Sequence, residues 1–178
     1  MHRFVQTVTL GTFVALSATA CSSKSNNTPT PIDNNTVRFT VTMNAQNEVP
    51  PITNAVDANG AGTASITFHL TRDSANNVTA ATADYVVTLK NFPAGTTLTG
   101  AHIHTGAAGV GPGGIVAQGI ITSGEIGLAN GSGGFTKNGV SVDAAVAQNI
   151  LNNPTGFYFN VHTQANSGGA VRGQLVKQ

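Results

Sequence analysis

Gly62-Thr63-Ala64-Ser65-Ile66-Thr67-Phe68-His69-Leu70 alternates along its whole length, with Ala64, Ile66, Phe68 and Leu70 on one face and Thr63, Ser65, Thr67 and His69 on the other. A two-residue period of this kind belongs to a half-buried strand. It recurs upstream in Val37-Arg38-Phe39-Thr40-Val41-Thr42-Met43, where Val37, Phe39, Val41 and Met43 share a face, and downstream in Ala83 to Leu89, where Tyr85, Val87 and Leu89 do. Ala101 to Thr105, Ile115 to Ile121, Gly134 to Thr136, Phe157 to Thr163 and Val171 to Val176 extend the series, separated by Gly, Asn, Pro and Ser clusters. Short strands at this spacing with no long helix predict an all-β antiparallel sandwich or barrel. Val142 to Leu151 departs from the pattern. There Val142, Val146 and Ile150 are spaced by four and Asn152-Asn153-Pro154 stops the run, which predicts one short helix packed across an end of the sandwich.

Composition agrees with a β-rich secreted domain. Of 178 residues only 8% are charged, there are 21 glycines and no tryptophan, and 40% are hydrophobic. An ordinary soluble domain carries about 25% charged residues, so hydroxyl and amide side chains take over much of this surface. The net charge is +1, with no Lys/Arg cluster, so the electrostatic footprint for binding a phosphate backbone is missing and no nucleic-acid partner is expected.

The first 20 residues read as a signal peptide: a short basic start through Arg3, an apolar stretch from Phe4 to Leu16, then Ala18-Thr19-Ala20-Cys21. The stretch is shorter than the roughly 20 apolar residues that span a bilayer. Ala18 and Ala20 fit an ordinary small-x-small cleavage site, while Leu16 to Cys21 resembles a bacterial lipobox with Ala18 in place of the more usual Leu. Both would cut before Cys21, the only cysteine, which therefore has no intrachain partner. Its position at the cut, ahead of a polar segment, favours lipidation. Ser22 to Thr36 is Ser, Asn, Thr and Pro with one Lys, one Ile and one Asp, and cannot build a core; it reads as a flexible tether (residues 21–36 with the lipidated Cys21). Residues 37–178 remain for one domain. The expected location is the cell envelope, lipid-anchored on the periplasmic or outer surface, or secreted if Cys21 is not lipidated.

Four stretches in order, Asn47-Glu48-Val49-Pro50-Pro51, Ala101-His102-Ile103-His104-Thr105-Gly106, Phe157-Tyr158-Phe159-Asn160-Val161-His162-Thr163 and Val171-Arg172-Gly173-Gln174-Leu175, resemble the CHRD domain, a family named after repeats in chordin and found also in bacterial secreted proteins. The resemblance implies an immunoglobulin-like antiparallel β-sandwich, similar to copper/zinc superoxide dismutase around the His-x-His strand. It implies little about activity. The growth-factor partners of chordin do not carry over to a bacterial lipoprotein.

His102 and His104 are two apart on a predicted strand, so their rings leave the same face, about 7 Å apart at the Cα level. On the strand from Phe157, the core face takes Phe157, Phe159 and Val161, and the opposite face Tyr158, Asn160 and His162. If the two strands are neighbours, three imidazoles converge, a donor set suited to Cu(II) or Zn(II) with a fourth position open. The competing reading has each ring donating to a backbone carbonyl beneath the small-residue loop Gly106 to Gly114, with no metal. The dismutase likeness stops at these residues, since a dismutase needs a fourth copper imidazole, a zinc loop rich in His and Asp and usually an intrachain disulfide, whereas the one remaining mature-chain histidine is His69 and Cys21 has no partner. His69 reads as solvated, and His2 leaves with the signal peptide.

Glu48 and Arg172, in separate motifs of a charge-poor chain, are candidates for a bidentate structural ion pair; the alternative has Arg172 facing the histidines and binding an anion. Pro50-Pro51 reads as a rigid turn, and Gly106 to Gly114 as a flexible hairpin or crossover. No nucleophile elbow, carboxylate pair or phosphate loop stands out, so no catalytic residue is assigned. Two function classes follow. One is a non-enzymatic, membrane-tethered binding or envelope-interaction module with a protein or glycan ligand. The other is a periplasmic or surface copper- or zinc-binding protein using His102, His104 and His162.

Overall fold

The computed structural model describes residues 34–178. The segment read as a signal peptide and Cys21 lie outside the described residues, as does all but the end of the segment read as a tether. Strand β1 (Thr36–Asn44) begins inside the segment read as tether, and the Leu70 N–H donates to the Asn35 carbonyl at 2.7 Å. It is followed by β2 (Ala61–Arg72), β3 (Val78–Lys90), β4 (Thr96–Thr105), β5 (Ile115–Ala117), β6 (Gly127–Leu128), β7 (Gly133–Val142), helix α1 (Ala144–Asn152), β8 (Phe157–Thr163), β9 (Val171–Gln174) and β10 (Val176–Lys177).

All pairings are antiparallel, in the order β5-β4-β8-β9-β1-β2-β3-β7, with β10 on β1 and β6 on β4. β1 meets β9 only at Asn44 opposite Arg172, and this narrow junction is where the sheet turns over on itself. The two halves face each other across the core: Tyr85 of β3 stacks on Phe159 of β8 with ring centroids 6.0 Å apart. Among the described residues this gives the predicted all-β sandwich with one short helix.

The alternation named in the sequence is what fills the sandwich. Phe39, Ile66, Phe68, Ala83, Tyr85, Ile103, Phe159 and Val161 have no exposed surface. Each large apolar side chain so buried contributes on the order of 1.5–3 kcal/mol relative to exposure. Phe39 and Phe68 meet edge-on at 5.2 Å between centroids, as aromatic quadrupoles prefer.

Several element limits differ from the sequence reading. β5 stops at Ala117 instead of Ile121. β7 runs from Gly133 to Val142, far beyond Gly134 to Thr136, because it is an edge strand whose exposed positions carry Thr, Asn, Gly and Ser and so show no apolar alternation. Val142 ends β7 rather than opening the helix. α1 starts after Asp143, whose side chain accepts from the N–H groups of Ala145 at 2.9 Å and Val146 at 3.1 Å, and it packs against β3 through Ala147 and Ile150. His69 is not simply solvated, since its Nε2 meets Asp84 Oδ2 at 2.9 Å.

Candidate metal centre

Within the half-sheet β5-β4-β8-β9, the strand β8 is buried on both of its faces. On β8 every residue from Phe157 to Thr163 is buried, including Tyr158, Asn160 and His162 on the face away from the core. That outer face is built in rows by the register: His104 opposite Tyr158, His102 opposite Asn160 and Gly100 opposite His162 between β4 and β8, then Asn160 opposite Arg172 between β8 and β9. The two strands on which the metal argument depends are therefore neighbours. Gly100 gives the His102 ring its place, because a Cβ there would stand 2.9 Å from His102 Cε1.

Two loops cover the rows. The loop from Gly106 to Gly114 lies across Tyr158 and Arg172 and is pinned along its length. The Arg172 guanidinium donates to the carbonyls of Ala107 at 3.2 Å and Val110 at 2.8 Å, and Gln174 donates to that of Gly106 at 2.9 Å. Gly113 must be glycine, since an added Cβ would fall 1.4 Å from the Thr105 carbonyl oxygen. The second cover is the turn after β8, tied down by a buried carboxyl that the sequence reading passed over. Asp57 accepts from Thr163 Oγ1 at 2.6 Å and from Asn166 Nδ2 at 2.7 Å, and the Asn54 N–H donates to Asn166 Oδ1 at 2.9 Å.

Each cover presents a carbonyl to one histidine. His104 Nδ1 lies 2.9 Å from the Gly113 oxygen and His162 Nδ1 lies 2.9 Å from the Ser167 oxygen. A carbonyl only accepts, so both rings carry their proton on Nδ1 and present a lone pair at Nε2. The backbone-carbonyl reading and the metal reading are thus compatible. An outer hydrogen bond of this type is what orients an imidazole ligand and fixes its tautomer.

One donor atom from each of His102, His104 and His162 lies within 4.8 Å of the others. His102 Nδ1 stands 3.0 Å from His162 Nε2, while His104 Nε2 is buried without a hydrogen-bond partner. Adjacent donors on one ion with bonds of 2.0–2.1 Å stand roughly 3.3 Å apart in tetrahedral geometry. The His102–His162 pair stands close to that spacing at 3.0 Å, and the His104 donor lies within 4.8 Å of both. The orphaned, buried Nε2 is the observation that fits a ligand best, because a lone pair left bare in the interior is costly.

Electrostatics favour neutral rings. Burial lowers the pKa of His102 to about 4, with His162 and His104 adding to the shift. Burial also lowers His104 and His162, opposed by their carbonyl hydrogen bonds. Neutral imidazole is the form that ligates.

Glu48 and Arg172 are buried close to this cluster, but they do not form the bidentate pair. Arg172 spends its Nη2 on the loop carbonyls, lies 3.7 Å from the centre of the Tyr158 ring, and leaves Nη1 unpartnered. β8 runs between β4 and β9, so Tyr158 is held between Arg172 and the parallel ring of His104, 4.9 Å away. Burial raises the Glu48 pKa to about 7, against the lowering effect of Arg172 and of a hydrogen bond from Asn160. Gly111 lies against Nη1, since a Cβ there would be 2.9 Å from Nη1 and 2.6 Å from the Val49 carbonyl.

No curated protein and no solved structure matches the chain. The sequence does match a family, described as the CHRD domain, over residues 39–175. That match runs from within β1 to just past β9 and takes in both covering loops, all three clustered histidines, Glu48, Asn160 and Arg172. On this match, which spans most of its length, the chain belongs to the CHRD domain family.

Proposed function

We propose that this CHRD protein is a non-enzymatic extracytoplasmic module that holds one Cu(II) or Zn(II) ion on His102, His104 and His162. The observation that carries the reading is the convergence of the three rings with His104 Nε2 buried and unpartnered. Two of the rings are oriented by backbone carbonyls, as imidazole ligands are. Imidazole suits both metals, and the affinity order favours copper where both are available. The three donors leave a position open for water or a further protein ligand. Every other group of the cluster has an orienting role in this reading, so no reaction is assigned.

The module's place is the cell envelope, attached to the membrane through lipid on Cys21. The apolar stretch, the lipobox-like Leu16 to Cys21 and the polar segment after it support this. Among the described residues no helix is long and apolar enough to cross a membrane.

A metal-free reading is favoured by one observation, the 3.0 Å contact in which His102 Nδ1–H donates to His162 Nε2. The rings then serve only to bind the covers down, and the module acts on a protein or glycan through its surface. Titration of the untagged protein with Cu(II) and Zn(II) separates the two. One tightly held equivalent, lost in the His102→Ala/His104→Ala variant, is the expected result; no saturable site would overturn the metal reading. Lipidation is tested by metabolic labelling with a radioactive fatty acid, which should mark the wild type and not Cys21→Ser.

A further inference from the structure

Asn160 sits in the middle of the histidine rows with only 2% of its surface exposed. It lies opposite His102 on one side and opposite Arg172 on the other. Its Oδ1 is 3.1 Å from His162 Nε2. That nitrogen bears a lone pair, because the ring's proton is on Nδ1 against the Ser167 carbonyl. A carbonyl oxygen and a ring nitrogen whose lone pair already accepts from His102 Nδ1 are two acceptors with no proton between them. Such a contact becomes favourable when a cation stands between the two atoms, and 3.1 Å is close to the roughly 3.3 Å that separates adjacent tetrahedral ligands.

The other side of the amide is also occupied. The Asn160 side chain acts to lower the Glu48 pKa, as an amide N–H directed at the ionised carboxylate does, so toward ionised Glu48 the amide presents its NH2 group and toward the histidines its carbonyl. Glu48 is itself held in place, with Gly169 packed so closely that a Cβ there would stand 2.7 Å from its Oε1.

We infer that Asn160 Oδ1 is the fourth protein ligand of the metal centre, giving a three-nitrogen, one-oxygen set, and that Glu48 is the positioning residue that turns the amide toward the ion. This rests on the metal reading of His102, His104 and His162. It makes the centre closed to a small substrate, as structural sites with four protein ligands are.

The test uses the full-length protein with Cu(II) alone and with Zn(II) alone. Protein made with asparagine 13C-labelled at the side-chain carbonyl, loaded with Cu(II), should show a strongly coupled 13C nucleus by electron-nuclear double resonance. Asn160→Asp, isosteric and still an oxygen ligand, should keep the Zn(II) affinity or raise it. Asn160→Ala should lose about 10-fold to 100-fold in affinity and gain a metal-bound water. One equivalent bound by wild type with no coupled 13C, and an unchanged affinity in Asn160→Ala, would overturn the Asn160 assignment and leave the three-histidine centre standing. No metal bound by wild type would overturn both. The labelled wild type decides the matter even if Asn160→Ala does not fold.

Discussion

Arg172 is the residue on which the outer layer hangs, and Arg172→Met measures how much. Methionine keeps an unbranched apolar stem of similar reach, so the change removes the guanidinium with little loss of packing. What goes is definite: two charge-assisted hydrogen bonds to Ala107 and Val110, and a cation 3.7 Å from the Tyr158 ring. A hydrogen bond to a charged donor contributes about 1.5–3 kcal/mol, and a desolvated cation–π contact about 2 kcal/mol. Against this, the variant no longer has to keep a fully buried guanidinium out of water, a penalty of several kcal/mol. The balance is a destabilisation of about 3 kcal/mol, with Glu48 responding by holding its proton more tightly once the neighbouring positive charge is gone.

Urea denaturation followed by circular dichroism reads this directly, with the metal removed by chelator in both proteins. Melting should fall by roughly 6–12 °C, at about 2–4 °C per kcal/mol for a domain of this size. Hydrogen exchange adds the spatial test, since protection should drop first in residues 106–114. Arg172→Lys should lie between, because one ammonium cannot reach both carbonyls and stack on the ring. A loss below about 1 kcal/mol in Arg172→Met, with residues 106–114 still protected, would refute the role given to Arg172.

Three further outcomes follow from the same geometry. In the metal-free protein, Glu48 keeps a proton in the fold between pH 4.5 and about 7 that the unfolded chain releases, so it makes stability fall as pH rises through that window. The depressed histidines act oppositely, since below pH 6.5 the unfolded chain takes up protons that the folded one refuses, His102 down to about 4. Glu48→Gln should therefore gain on wild type by on the order of 2 kcal/mol from pH 4.5 to 7 in denaturant titrations; a pH-independent difference would mean Glu48 is ionised in the fold. Asp57→Ala strands Thr163 Oγ1 and Asn166 Nδ2 in the interior and should cost about 3 kcal/mol by chemical denaturation, while loosening the turn that offers Ser167 to His162. Gly100→Ala puts a methyl 2.9 Å from His102 Cε1, and calorimetry should find metal affinity about tenfold lower with stability changed by less than about 1 kcal/mol.

The inner half of the protein was legible and the outer half was only partly so, for a physical reason. β1, β2 and β3 alternate because one face meets the core and the other meets solvent, and that contrast is written in side chains. β8 breaks the contrast: Tyr158, Asn160 and His162 are buried under loops, so polarity no longer reports exposure. His102, His104 and His162 could be named from residue type and spacing, yet their meeting depends on β4 lying beside β8 in a register with an irregularity between Leu98 and Gly100. The groups that orient them are the carbonyls of Gly113 and Ser167, and a backbone carbonyl leaves no trace in a sequence. Gly113 itself was a signal in retrospect, since its hydrogen atom is the only side chain that fits against Thr105. Asp57 had no motif around it and was missed; Glu48 and Arg172 stand out by charge in a charge-poor chain, but Arg172 is spent on the covering loop and not on a bidentate pair with Glu48.

The most direct measurement is a long-range 1H–15N correlation spectrum of the histidine rings, recorded on the untagged protein as Zn(II) is added. The metal reading predicts that Nε2 of His104 and His162 and Nδ1 of His102 shift together, saturate at one equivalent, and leave the Nδ1 protons of His104 and His162 on their carbonyls. Rings that stay unmoved through one equivalent of Zn(II), with His102 still donating to His162, would contradict it.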